Sequence, residues 1–109
     1  MLQLEGIRVL EFTQYLAGPT VGRLMAEMGA EIIKIESAPT GDPSRGLPIA
    51  DDGRSGYFIQ QNRGKKSLAL DLKKPEADTI LRELIKNVDV VVEYFGPGVM
   101  EKKGLAWKD

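Results

Sequence analysis

Two short runs, Ile7-Arg8-Val9-Leu10-Glu11-Phe12 and Ile32-Ile33-Lys34-Ile35-Glu36, together with the stretch between them, decide the fold class of this chain. Both are apolar and rich in β-branched residues, as buried or half-buried strands are. Between them, the turn Ala17-Gly18-Pro19 precedes apolar residues at Val21, Leu24, Met25 and Met28, an i, i+3, i+4, i+7 stripe. Pro19 suits a first helical turn and Gly29 the position just past a helix end, so the spacing predicts a one-faced amphipathic helix. Strand, helix and strand form a β-α-β unit, in which the usual right-handed crossover leaves two parallel neighbouring strands.

Outward from this unit, the pattern dissolves between Ser37 and about Lys66 into Pro39, Gly41, Pro43, Gly46, Pro48, Gly53, Gly56 and Gly64. This predicts a long connection without regular structure of its own, anchored only by Gly56-Tyr57-Phe58-Ile59; such segments tend to be functional loops or disordered. Ser67 to Leu72 alternates Leu68, Leu70 and Leu72 with other residues and predicts another strand. Pro75 opens a second helix whose buried face is Ala77, Ile80, Leu81, Leu84 and Ile85, with Asn87 at its end. A further strand at Val88 to Glu93, a sharp turn at Tyr94-Phe95-Gly96-Pro97-Gly98 and a short helical stretch around Val99 to Lys103 complete the chain. The order predicts an α/β fold with a mostly parallel, Rossmann-like sheet. Two good helices over four strands leave apolar surface uncovered, so the expectation is an incomplete fold that needs more chain or a partner.

The bulk properties narrow the chemistry. With 109 residues the chain fits one domain, and 15 basic against 16 acidic residues leave a net charge of -1, which offers no general attraction for nucleic acid or an anionic membrane. Cysteine and histidine are absent, which removes thiol nucleophiles, disulfides, histidine bases and the usual metal ligands together. No basic-then-apolar leader opens the sequence, and no apolar run approaches the roughly 20 residues of a membrane span. The expectation is a cytoplasmic protein that holds no metal.

Ligands of open α/β sheets bind beyond the carboxyl ends of the strands. Three segments fall there: Thr13 to Pro19, Ser37 to Asp42 and Tyr94 to Gly98. The glycines of the first and last allow close ligand approach, or they only shape turns. Arg63-Gly64-Lys65-Lys66 places three positive charges in four residues, which suits a polyphosphate or a solvated loop. Tyr94-Phe95 can flank an adenine ring or plug the end of the core. Asp42, Asp51, Asp52, Asp71 and Glu93 are the acids available as base or nucleophile, and none has a histidine or cysteine to work with.

Taken in order, several motifs carry a resemblance: Leu4-Glu5-Gly6-Ile7-Arg8-Val9-Leu10-Glu11-Phe12, Ala17-Gly18-Pro19, Met28-Gly29-Ala30-Glu31-Ile32-Ile33-Lys34-Ile35-Glu36 and Gly41-Asp42-Pro43. Asn62-Arg63-Gly64-Lys65-Lys66-Ser67, Leu70-Asp71-Leu72-Lys73, Glu93-Tyr94-Phe95-Gly96-Pro97-Gly98 and Lys103-Gly104-Leu105 continue it. In order and spacing the sequence resembles the opening of class III CoA-transferases, the L-carnitine dehydratase and bile-acid-inducible type, over essentially its whole length.

The resemblance implies that residues 1–109 are the N-terminal part of a large CoA-binding domain, without the family's small domain and C-terminal part. It also implies a homodimer of interlocked chains. In such enzymes an aspartate, here expected well beyond position 109, attacks an acyl-CoA thioester; a mixed anhydride and an aspartyl-CoA thioester follow, which an acceptor carboxylic acid resolves. This chain by itself is then expected to be inactive. By the same resemblance, coenzyme A would be contacted by Leu16, Ala17, Leu70, Asp71, Leu72, Lys73, Tyr94, Phe95, Gly96 and Lys102, while Gln14 would line the acyl pocket.

In oxalate-specific members the positions of Gln14 and Leu16 carry His and Gln, and that of Ser37 carries an Arg for the nucleotide. Leu16 and Ser37 therefore point away from formyl and oxalate specificity. The same family includes acyl-CoA racemases and isomerases, which the motif Asn62 to Ser67 resembles less. A nicotinamide-dinucleotide domain is the rival from another class, with Glu36 ending the second strand as its ribose-binding acid. Its glycine fingerprint is not met by Leu16-Ala17-Gly18-Pro19-Thr20-Val21-Gly22. A non-catalytic half of a split enzyme is the third reading.

Overall fold

The computed structural model describes residues 1–47 and 52–109. Pro48 in the long connection and Asp51 among the candidate acids lie outside the described residues. Four strands, β1 (Arg8–Phe12), β2 (Glu31–Ser37), β3 (Lys65–Leu70) and β4 (Val90–Glu93), form one sheet in the order β3-β2-β1-β4. Every pairing is parallel; Glu11 lies opposite Lys34, and Lys34 opposite Ser67. The α/β, Rossmann-like expectation holds, with a sheet that is partial.

Helix α1 (Ala17–Glu27) covers one face and α3 (Pro75–Ile85) and α4 (Val99–Lys102) the other. On the α3 side, Leu10, Phe12, Ile35, Leu81 and Met100 form the main core, with Ile33, Leu68, Leu84 and Phe95 against it. Fully burying such a side chain contributes about 1.5–3 kcal/mol. On the α1 side the apolar core is smaller: Val9, Ala30 and Ile32, joined by Met25 and Ala26.

That asymmetry overturns one expectation. Of the predicted stripe on α1, Val21, Leu24 and Met28 are exposed, at 44%, 48% and 40%. The helix instead lays Gly18, Pro19 and Gly22 on the sheet. The reason lies beneath it. A Cβ at Gly22 would come within 1.9 Å of Glu11 Oε1, and one at Gly18 within 2.6 Å of Thr13 Cγ2, so the helix backbone reaches the sheet only because both positions lack a side chain. The apolar stripe consequently faces away from this sheet.

The long connection also departs from expectation. It contains a 3-10 turn at Pro43–Gly46 and the helix α2 (Gly56–Asn62), whose start Ser55 caps by accepting the Phe58 N–H at 3.1 Å. Seven residues present too few turns for a period to register, and the glycines around them read as loop. Strand β3 begins two residues earlier than expected and ends before Asp71, because Lys65 and Lys66 already pair with Ile32 and Ile33 and β2 gives out at Ser37, opposite Leu70. Asp71 lies just past the strand and its Oδ1 accepts the Lys73 N–H at 3.1 Å. Strand β4 begins at Val90 instead of Val88.

Beside β4 an open groove of about 560 Å³ is lined by Val88, Val90, Val91, Met100, Leu105 and Trp107, among others. Uncovered apolar surface is therefore present on both faces.

Candidate functional site

In the order β3-β2-β1-β4 the chain winds one way from β1 to β3 and then crosses back to β4. The direction changes between β1 and β4, and at such a switch point the loops leaving the two strands part to form a crevice. The turns that leave these strands are Thr13 to Leu16 and Tyr94 to Gly98. They start side by side: the Tyr94 N–H donates to the Phe12 carbonyl at 3.1 Å, and a Cβ at Gly18 would stand 2.6 Å from Thr13 Cγ2 and 3.2 Å from the Cβ of Tyr94.

The sequence-predicted residues divide around this crevice. Gln14, Leu16 and Ala17 are exposed on the first turn, with Leu16 at the N-cap of α1. Tyr94 is 67% exposed and free to meet a ligand. Phe95 is not equivalent: it is partly buried against Phe12, ring centroids 5.8 Å apart, and plugs the core end. Its N–H donates to Glu93 Oε2 at 2.9 Å, which occupies that acid, and Gly96 stays exposed beside it.

Leu70 ends β3, and Asp71, Leu72 and Lys73 follow it at the edge of the sheet. Lys103 Nζ donates to the Leu72 carbonyl at 3.1 Å, bringing this loop to the end of α4, where Lys102 is exposed. The candidate residues thus form two groups, one at the switch point and one where the β3 loop meets α4.

The basic cluster does not act as a unit. Arg63 pairs with Glu27 and Lys66 with Glu31, both on the surface. Lys65 turns inward: its side chain is 2% exposed, and Nζ lies 2.9 Å from Glu11 Oε1, the Pro19 carbonyl and Asn62 Oδ1. Burial lowers the pKa of this ammonium, against the opposing pull of Glu11. Only Lys65 is committed to buried partners; Arg63 and Lys66 stay on the surface in exposed ion pairs, which hold them weakly.

A buried charged cluster, which sequence reasoning missed, lies beneath the first turn. Lys34, 1% exposed, is 3.0 Å from Asp42 Oδ2 and 3.6 Å from Glu11 Oε2, and donates to the Thr13 carbonyl at 2.8 Å. Thr13 Oγ1 donates to Glu11. Asp42 Oδ1 accepts from Ser44 N and Oγ, each at 2.8 Å. Burial raises the Asp42 pKa, yet the Ser44 and Lys34 contacts outweigh it and the net shift is downward. Glu11 Oε1 and Asp42 Oδ2 have their cations without a well-aligned hydrogen bond. One signal was available: in a strand buried on both faces, Lys34 and Glu36 share the parity of Ile32.

Glu36, 4% exposed, has both oxygens engaged. Oε1 accepts from Arg45 Nε at 2.8 Å and Asp42 N at 2.9 Å; Oε2 accepts from Arg45 Nη2 at 2.7 Å and from Ser67. The Arg45 guanidinium brings its pKa down to about 2. An acid so used has no free oxygen for a ribose, which tells against the nicotinamide reading. Asp52 is likewise taken, by Arg54.

Comparison with known proteins agrees with this fold. A formyl-CoA:oxalate CoA-transferase from Bradyrhizobium sp. (strain ORS 278) is 45% identical over 96% of this chain, which spans 25% of that relative. A solved hypothetical protein from Mycobacterium tuberculosis superposes with a TM-score of 0.90 at 42% identity, over all of this chain and 30% of the other. A CAIB/BAIF family protein from Brucella suis gives 0.88 at 38% identity, over 98% and 29% respectively. The chain thus spans about a quarter of the length of the curated relatives it matches. Residues 4–109 match CoA-transferase family III, and the chain belongs to that family.

Proposed function

We propose that this chain is the N-terminal CoA-binding portion of an enzyme transferring CoA from an acyl-CoA thioester to a carboxylic acid. The observation that carries the reading is that the Thr13–Leu16 and Tyr94–Gly98 turns leave neighbouring strands side by side at the switch point of a parallel sheet, within a chain of this family. In the proposed site Leu16, Ala17, Tyr94 and Gly96 receive the thioester end of CoA, with Phe95 behind them closing the core, and Gln14 offers its amide to the acyl group. Leu70, Asp71, Leu72, Lys73 and Lys102 take the nucleotide, with the two lysines facing phosphate. The nucleophile is an aspartate outside these 109 residues, which forms an aspartyl-CoA thioester; the chain alone turns nothing over. The assembly is a homodimer, working in the cytoplasm.

Leu16 and Ser37 favour an acyl and acceptor pair other than formyl and oxalate, although relatives of that activity are among the matches. Transfer is preferred to racemisation or isomerisation because of the Asn62–Ser67 motif.

Calorimetry of the complete encoded protein with CoA, dephospho-CoA and NAD tests the reading. A charge-assisted contact to phosphate contributes about 1.5–3 kcal/mol, so CoA should bind roughly tenfold or more tighter than dephospho-CoA. Lys102→Ala should narrow that gap, and high salt should narrow it further because the lysines are exposed. Equal affinity for CoA and NAD would refute the assignment.

A further inference from the structure

Among the described residues Tyr15 alone, of those that are not glycine, has left-handed backbone, with φ at 61°. A bulky L-residue adopts this conformation rarely, and only where its surroundings enforce it. Here the enforcement comes from beneath the turn. Asp42 Oδ1 accepts the Tyr15 N–H at 3.4 Å, and Lys34 Nζ donates to the carbonyl of Thr13, two residues earlier, at 2.8 Å. Lys34 and Asp42 face each other at 3.0 Å with side chains 1% and 0% exposed. One buried pair therefore fastens the turn after β1 to the loop after β2.

Stability alone is a weak reason for such a pair, since replacing a buried ion pair by apolar groups of similar size is often neutral or stabilising. What an apolar pair cannot do is hold the Thr13 carbonyl and the Tyr15 N–H at once. We propose that Lys34 and Asp42 are positioning residues that keep Tyr15 in left-handed backbone and thereby set where Gln14, Leu16 and Ala17 meet the acyl-CoA thioester. The inference rests on the CoA reading of that turn and adds the device that shapes it. Neither residue touches the thioester; both act through the backbone of Thr13 and Tyr15.

The test uses the complete encoded protein. In Lys34→Met/Asp42→Leu both charges and the acceptor of the Tyr15 N–H go together, and Glu11 keeps Lys65 as its partner, so no buried charge is stranded. The unfolding midpoint should stay close to that of the parent while the acyl-CoA KM rises about tenfold and kcat changes by less than about threefold. Adding Tyr15→Gly should recover most of the loss, because glycine adopts positive φ freely, and the cycle is closed with Tyr15→Gly alone. Should the pair variant fold poorly, Asp42→Ala, which removes the acceptor of the Tyr15 N–H, carries the comparison with and without Tyr15→Gly. A KM unchanged within about twofold, or a loss that Tyr15→Gly leaves untouched, would overturn the positioning role.

Hydrogen exchange at the Tyr15 amide reads the tie without any CoA and should accelerate about tenfold or more in the pair variant. Faster exchange in a protein whose parent binds no CoA would support the tie and sink the CoA reading. CoA binding with unaltered exchange and KM would do the reverse.

Discussion

Gly22→Ala sets two effects of opposite sign against each other. In a helix interior alanine is favoured over glycine by about 0.8–1.0 kcal/mol, so local propensity predicts that the change stabilises α1. The structure predicts the opposite. The new Cβ would stand 1.9 Å from Glu11 Oε1, 3.0 Å from Glu11 Cδ and 3.1 Å from Lys65 Cε. The end of a long side chain can often swing aside, but Glu11 is fully buried, with Lys65 at 2.9 Å, Lys34 at 3.6 Å and the Thr13 hydroxyl on the same carboxylate. Relief comes either from lifting α1 off the sheet or from parting Glu11 from Lys65.

Overpacking costs about 1–3 kcal/mol and breaking a buried pair about 3–5 kcal/mol, so after the propensity gain the two routes leave net losses of about 0–2 and about 2–4 kcal/mol, centred on about 2 kcal/mol. For about 100 residues that central value lowers Tm by roughly 8–16 °C. Urea and thermal unfolding, followed by circular dichroism, measure it. Gly56→Ala is the control: nothing lies within 4 Å of where its new methyl group would stand, and it should be neutral or slightly stabilising. If Gly22→Ala were as stable as the parent, the close seating of α1 on a charged sheet face would be wrong.

Acid titration should expose Glu36. Its pKa in the fold, about 2, lies below the ordinary 4.5, so its contribution is fully present above pH 4.5 and is lost as pH falls toward 2. Because Arg45 is half exposed, roughly 2 kcal/mol is expected over that window, and Glu36→Gln should flatten it in unfolding curves. Lys65→Met should cost about 3 kcal/mol or more while Lys66→Met stays within about 0.5, since only the former leaves a buried carboxylate short of a cation; equal effects in chemical denaturation would contradict the assignment. The exposed stripe of Val21, Leu24 and Met28 should drive self-association of the 109-residue chain. Leu24→Asp should weaken it in sedimentation runs at several concentrations, with little change in unfolding midpoint; a parent that stays monomeric throughout would refute this.

The α/β class, the four strands, α3 with its Pro75 start and the turns after β1 and β4 were legible in the sequence, because each rests on spacing between near neighbours. The sequence marked three segments after strands as ligand positions, and the strand order then set two of them side by side at the switch point. Short α2 was not, since its seven residues hold too few turns for a period and its cap, Ser55, is a single residue among glycines. The family resemblance gave candidate CoA contacts, but nothing in the order of residues separates exposed Tyr94 from Phe95, which packs on Phe12.

Tertiary structure alone decided which face of α1 is buried. A stripe of Val21, Leu24 and Met28 states that the helix has an apolar side, not what stands opposite it, and here the sheet presents Glu11, Lys34 and Lys65, to which only the glycine side can come close. The same holds for the charges themselves. Glu11, Lys34, Asp42 and Lys65 are separated in sequence, and no spacing among them marks a cluster. Parallel register places Glu11 beside Lys34, and two loops fold back over them, so their burial and pairing are properties of the sheet.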